Sequence, residues 1–231
     1  MRSRNPEVFP VAAGALVVSC QAQPASPLSG PAPMAMMARA AVAGGADGIR
    51  ANGPDDVAAI RAVVDVPVIG IHKRGDRAGV YITPTVGAAA EVVRAGADVV
   101  AVDATERLRP DGTACAVHLA AIRRTLEVPV MADVDTLAAG LAARDAGAAA
   151  VATTLSGYVG DAPRPVEPDL ALVEALASAL DCPVVAEGRY ATPDHVRQAF
   201  DAGAYAVVVG TAITNPVAIT ACFAAATPRR G

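Results

Sequence analysis

The chain has 231 residues, 53% of them hydrophobic but only 3% aromatic and none Trp, so Val and Ala must fill a large core. Its formal charge of −4 argues against a general nucleic-acid surface, which needs clustered cations. No run approaches the roughly 18 consecutive apolar residues of a membrane span, and the cysteines at 20, 115, 182 and 222 have no metal-like spacing, as expected of reduced, mostly buried thiols in a cytoplasmic protein.

In chain order, residues 1 to about 13 read as a short lead-in. Met1-Arg2-Ser3-Arg4 before an apolar stretch resembles a secretory or lipoprotein signal, yet its removal would delete the first of eight apolar runs. Those runs are 16–21, 48–52, 68–74, 99–103, 130–133, 151–154, 184–189 and 207–211. Unbroken runs of this kind fit parallel strands buried on both faces. Helices are expected between them. One carries Met34, Met36 and Met37 as a core stripe, one opens on Pro54-Asp55-Asp56, and one is capped by Thr192 ahead of Pro193. Gly-Ala recurs at 45, 96, 147 and 203, at intervals of 51, 51 and 56 residues. Between these lie Val66-Pro67-Val68, Val128-Pro129-Val130 and Cys182-Pro183-Val184, each opening another strand. Two strand–helix units per repeat, four times over, predict one α/β domain across residues 1–231, a closed (β/α)8 TIM barrel. The longer connections Arg107–Thr113 and Tyr158–Pro168 are candidate lids.

Each run ends on polar residues, which a barrel gathers at one mouth. Lys73 is the sharpest candidate, a general base or a Schiff-base nucleophile beside the cation of Arg74. Glu187 reads as an acid/base partner, or as a structural carboxylate paired with an Arg such as Arg189. Asp103 and Asp133 are placed to hold Lys73 or bind hydroxyls, and Gln21, Arg50 and Asn52 to bind polar substrate groups. Thr153, Thr154, Ser156 and Tyr158 crowd the sixth strand's end without a Gly-x-Ser-x-Gly elbow, which removes serine-hydrolase chemistry. Gly188, Gly210 and Thr211 suit phosphate held by backbone N–H groups. His72, His118 and His195 have no ligand spacing, so no metal is expected.

Several of these segments, with others, resemble the N-acylglucosamine-6-phosphate 2-epimerase family, also called N-acetylmannosamine-6-phosphate 2-epimerase. They are Val18-Ser19-Cys20-Gln21-Ala22, Gly48-Ile49-Arg50-Ala51-Asn52-Gly53, Ile71-His72-Lys73-Arg74, Tyr81-Ile82-Thr83-Pro84-Thr85 and Val102-Asp103-Ala104-Thr105. Arg109-Pro110-Asp111-Gly112, Met131-Ala132-Asp133, Thr153-Thr154-Leu155-Ser156-Gly157-Tyr158 and Ala186-Glu187-Gly188-Arg189 complete the set, in family order over about residues 14 to 216. The resemblance implies reversible conversion of N-acetylmannosamine 6-phosphate to N-acetylglucosamine 6-phosphate in sialic-acid catabolism, without redox cofactor or metal, by a dimeric enzyme. It implies that Lys73 moves the C2 proton and that Glu187 acts as a second acid or in ring opening. Gln21, Arg50, Asn52, Asp103, Asp133, Thr154, Ser156, Tyr158 and Arg189 are then the candidate sugar contacts. Gly188, Gly210 and Thr211 are the candidate phosphate contacts. Two departures stand out: Asn215 precedes Pro216 where the family usually has a basic residue, and the loop Val159–Pro168 lacks the usual continuation. The residues alone leave two other readings open, a Schiff-base aldolase or lyase through Lys73 and a non-catalytic sugar-phosphate sensor.

Overall fold

A computed structural model describes residues 7–76, 78–160 and 163–228. Its first half runs β1 (Ala15–Cys20), α1 (Pro31–Ala43), β2 (Gly48–Asn52), α2 (Pro54–Arg61), β3 (Val68–Ile71), α3 (Val86–Arg94), β4 (Val99–Asp103) and α4 (Cys115–Leu126). The second half runs β5 (Val130–Asp133), α5 (Leu137–Asp145), β6 (Ala150–Ala152), α6 (Leu170–Ala179), β7 (Val184–Glu187), α7 (Pro193–Asp201) and β8 (Ala206–Val209), then α8 (Thr211–Thr214) and α9 (Pro216–Ala225). The strands pair in sequence order and β8 pairs parallel with β1, closing the barrel. The predicted (β/α)8 architecture is therefore the observed one.

Alternation along each strand decides what faces inward. Ala15 and Val17, Ile69 and Ile71, Val99 and Ala101, Met131, Ala150 and Ala152, Val185, and Ala206 with Val208 fill the interior. Phe9 and Val11 of the lead-in join that core near the strand N-termini, where Phe9 packs edge-on against Tyr205 at 6.4 Å. The opposite parity, including Ile49, Val100 and Val151, packs outward against Ile60, Val92, Leu119, Ile122 and Leu176 of the helices. Continuing the inward parity past each apolar segment gives Ser19 and Gln21, Arg50 and Asn52, Lys73, Asp103, Asp133, Thr154, Glu187 and Gly210. This register puts these polar residues at the mouth.

The repeated glycines do the work their positions imply. Gly45, Gly96, Gly147 and Gly203 all have φ between 91° and 109° just after a helix, a conformation costly for other residues. Pro54 begins α2, and the Thr192 hydroxyl accepts from the His195 N–H to cap α7. Two expectations need correction. Met34 is buried and Met37 packs on the core, but Met36 is 65% exposed, so the stripe is narrower than three methionines. The four thiols are free, but only Cys20 is buried; Cys115 and Cys182 are half-buried and Cys222 is exposed on α9. Among the described residues no helix is long and apolar enough to cross a membrane.

Candidate active site

Arg50 organises the mouth. It projects inward from β2, has no exposed surface, and reaches two strands on the far side of the barrel. Its Nη2 donates to Oδ2 of Asp133 and its Nη1 to Oδ1 of the same carboxylate at 3.0 Å, a two-pronged pair. Nη1 also donates to Oε2 of Glu187 and, at 3.3 Å, to the Thr154 hydroxyl. That hydroxyl lies 2.7 Å from Asp133 Oδ1 and 3.2 Å from Glu187 Oε2. Residues from β2, β5, β7 and the end of β6 thus form one buried cluster holding one cation and two carboxyl groups. Burial acts against the Arg50 charge, but the two carboxylates outweigh it and hold its pKa above the usual range. Burial, first, and the nearby Asp133 charge push the Glu187 pKa up, against the pull of Arg50, Thr154 and Lys73. Glu187 is therefore biased towards keeping a proton that a surface glutamate would lose.

Lys73 stands two residues beyond β3. Its Nζ donates to Oε1 of Gln21 at 2.6 Å, and Gln21 passes a hydrogen bond to the Ser19 hydroxyl at 2.8 Å. Its backbone N–H donates to Oδ1 of Asn52 at 2.9 Å, so Asn52 positions the lysine's main chain. The amine is close enough to Glu187 for its charge to act on that carboxyl. The backbone of Glu187 is clamped as well: the Thr153 hydroxyl accepts its N–H at 3.0 Å and donates to its carbonyl at 2.9 Å.

Asp103 lies beside Asp133 in register and has the same inward parity, yet it stays outside this cluster. Its Oδ1 accepts from the Thr105 N–H and hydroxyl, and its Oδ2 from Arg107 at 2.7 Å. Arg109, itself buried, donates to its carbonyl. The connection expected as a first lid is therefore stapled to β4. Ser156 is also occupied, its hydroxyl 2.5 Å from Oδ2 of Asp169, the residue that caps α6. Arg189 does not pair with Glu187. It has φ +64°, donates to the carbonyls of Glu167 and Ser156, and stands 5.4 Å over the Tyr158 ring. Arg164 stands 5.3 Å from the same ring, so two cations flank Tyr158, which is 37% exposed at the rim. Of the expected second lid, Asp161 and Ala162 lie outside the described residues.

Gly188 (φ +110°) has only backbone carbonyls and the Tyr158 ring edge near the position a side chain would take, all at 3.8 Å or beyond. Gly210 is tighter, 3.4 Å from the Ser19 Cβ, and leads into Thr211 at the start of α8. Among the described residues no backbone carbonyl outside helices and strands accepts from the N–H groups of Gly188, Gly210 or Thr211. Asn215 is committed elsewhere: its side chain accepts the Ala218 N–H at 3.1 Å and caps α9.

A further acidic residue at the mouth escaped the sequence reading. Asp135, two beyond Asp133, lines a cavity of about 360 Å³ with Thr105, Glu106, Arg107, Thr136 and Val159. Its Oδ1 is buried without a hydrogen-bond partner among the described residues, and burial raises its pKa. The spacing Asp133-x-Asp135, one step further along the inward parity, was the signal available.

A charged cluster and a lysine meeting in one mouth narrow the chemistry, and comparison with known proteins identifies the family. Residues 34–229 match the family model described as "Putative N-acetylmannosamine-6-phosphate epimerase". The chain belongs to this epimerase family. It is 53% identical over 213 residues to the "Putative N-acetylmannosamine-6-phosphate 2-epimerase" of Cutibacterium acnes, covering 91% of this chain and 93% of that one. A protein of the same description from Caldanaerobacter subterraneus is 47% identical, covering 90% and 89%. Among solved structures, the N-acetylmannosamine-6-phosphate 2-epimerase from Clostridium perfringens superposes with a TM-score of 0.89 at 39% identity, covering 94% of this chain and 95% of that chain. An epimerase of this family is an isomerase, so the barrel mouth is read below as an isomerase site.

Proposed function

We propose that this protein interconverts N-acetylmannosamine 6-phosphate and N-acetylglucosamine 6-phosphate, an amino-sugar step of sialic-acid catabolism, by proton transfer at C2. The observation that carries the reading is Lys73 and Glu187 together at one mouth, with Arg50 and Asp133 buried behind Glu187. Epimerisation at C2 needs a base at that carbon and a donor at the C1 carbonyl that takes up the developing negative charge. Lys73 removes the C2 proton and, once the C1–C2 enediol has turned in the site, returns a proton from the same amine to the opposite face of C2. Glu187 fits the second task because its surroundings favour the protonated carboxyl: one guanidinium cannot neutralise two carboxylates in a water-poor cluster. In this scheme Arg50 balances Asp133, and Thr154 divides its hydrogen bonds between Asp133 and Glu187.

Gln21 orients the amine, Tyr158 covers the sugar, and Asp135 offers an unused acceptor to a hydroxyl or amide of the substrate. The phosphate is held by the backbone N–H groups of Gly188, Gly210 and Thr211 rather than by a side-chain cation, since Arg189 and Asn215 are spent on local bonds. We read residues 1–231 as one cytoplasmic domain acting as a homodimer, without cofactor. The apolar helix α9 supports the dimer: it buries none of its residues, and Val217 and Phe223 stand exposed on it.

Proton NMR of N-acetylmannosamine 6-phosphate with the enzyme in D2O tests the reaction. Epimerisation with deuterium entering at C2 is expected, and Lys73→Ala abolishes both. A borohydride-trapped adduct on Lys73 would replace this reading with Schiff-base chemistry. Unchanged substrate would leave a sugar-phosphate sensor.

A further inference from the structure

The chain does not leave β3 directly for α3. It doubles back, so that Lys73 and Ile82 form an antiparallel bridge, Arg74 N–H donates to the Tyr81 carbonyl at 2.9 Å, and Thr83 N–H donates to the His72 carbonyl at 3.0 Å. Regular pairing of β3 with β4 covers only Ile69 with Val99 and Gly70 with Val100. Just beyond it, the Thr83 hydroxyl sits between the two strands. It accepts the His72 N–H at 3.0 Å and donates to the Ala101 carbonyl at 2.7 Å.

Thr83 has no exposed surface and a φ of +47°, an outlier for a β-branched residue. Such a conformation persists only where neighbours over-determine it, and it concentrates at functional sites. Here His118, buried on α4, makes a 3.1 Å hydrogen bond to the Thr83 carbonyl. Burial lowers the His118 pKa to about 4, so the ring is neutral at ordinary pH and Nε2 is the nitrogen carrying the proton. The Asp103 N–H holds the neighbouring Ile82 carbonyl at 3.0 Å.

We propose that Thr83 is a positioning residue for Lys73: its hydroxyl replaces the missing β3–β4 ladder bond and sets where the lysine amine stands opposite Glu187. The proposal rests on the reading of Lys73 as the base. It explains why a strained threonine occupies a place where Asn or Gly would sit at less cost. His72 N–H is adjacent to Lys73, so a change of under an ångström at the bridge is carried straight to the lysine backbone, whose other edge is fixed by Asn52.

The test compares Thr83→Ser, Thr83→Val and Thr83→Gly in the full-length chain, with C2 exchange in D2O and circular dichroism on the same samples. Thr83→Ser keeps the hydroxyl and is expected to stay within about threefold of the parent. Thr83→Gly relieves the backbone but loses the bridge, and kcat per folded molecule falls roughly 10- to 100-fold with KM little changed, the scale of an ångström-sized misplacement. Thr83→Val, which keeps the shape alone, behaves like Gly if it folds. The pH profile of kcat/KM also shifts in Thr83→Gly and not in Thr83→Ser. A kcat in Thr83→Gly within twofold of the parent, or a loss matched by the unfolded fraction, overturns the proposal. The parent's own exchange, measured first, separates this from failure of the Lys73 reading: no exchange there sinks that reading whatever the variants do.

Discussion

Asp103 and Asp133 are neighbours in register, both aspartates, both fully buried, both ending a strand with inward parity. Their surroundings send them to different tasks. Asp133 is held by Arg50 from across the barrel and by Thr154 from the next strand end, so its charge belongs to a cluster that also contains Glu187. Asp103 is held by Thr105 and Arg107 of its own connection, so its charge stabilises a loop. The side of the mouth near Asp133 is built from distant residues and carries the proposed chemistry. The side near Asp103 is built from local ones and keeps the Lys73 hairpin in place.

The largest test removes the guanidinium from each side. Arg50→Met leaves two carboxyl groups buried without a cation and is expected to cost about 3–5 kcal/mol and nearly all activity. Arg107→Met removes one partner of Asp103 and is expected to cost roughly 1.5–3 kcal/mol while leaving kcat within about threefold. Thermal melts and turnover on both variants check the difference; equal losses of activity would erase the distinction between the two sides.

Next comes the pH dependence of the loop side. His118 is neutral when folded and ordinary when unfolded, so its folded pKa is depressed to about 4. A depressed value means stability is fully present above the unfolded pKa near 6.5 and is lost as pH falls towards 4, by up to about 3 kcal/mol. The raised carboxyls of Glu187, Asp103 and Asp135 work in the opposite direction, so comparison with a variant isolates the histidine. Urea unfolding of His118→Gln is expected to show a flatter loss between pH 6.5 and 4; an unchanged slope would mean that the histidine titrates alike in the folded and unfolded chain.

A sharper contrast compares Asp133→Asn with Asp103→Asn. Asp133 helps keep the Glu187 pKa raised, so its neutral replacement lowers that pKa. The limb on which activity falls as Glu187 ionises is expected to move to lower pH in Asp133→Asn only. Profiles of kcat against pH decide the matter, and a shift in Asp103→Asn would join that residue to the cluster. The smallest effect concerns Asn215, which lies between α8 and α9 and is spent on capping its own helix. Asn215→Ala is expected to cost about 1 kcal/mol through the lost α9 cap and to leave KM for the phosphorylated sugar unchanged. A raised KM would place it in the phosphate site.

Much of the architecture was legible because its causes are local. Eight apolar runs, glycines at 45, 96, 147 and 203, and Thr or Pro at helix starts each follow from what a few consecutive residues can adopt. Lys73 and Glu187 could be named for the same reason, since a polar residue closing a buried strand must point to the strand end. The partnerships were not legible. Ser156 and Asp169 were equally plain as residues, but nothing near either shows that they bond. The Thr83 hairpin was hidden because its positive φ and its wedge between β3 and β4 depend on β4 lying alongside.

By itself the sequence determined the period of the fold, the set of residues at the mouth and the resemblance to an epimerase family. Only the tertiary structure decided that Arg50 reaches Asp133 and Glu187, that Asp103 turns to its own loop, and that Asn215 caps a helix. The reason is physical. Apolar pattern and turn chemistry act over a few residues, whereas a buried charge is satisfied by whichever partners barrel closure brings within hydrogen-bond reach, here 83 and 137 residues away along the chain.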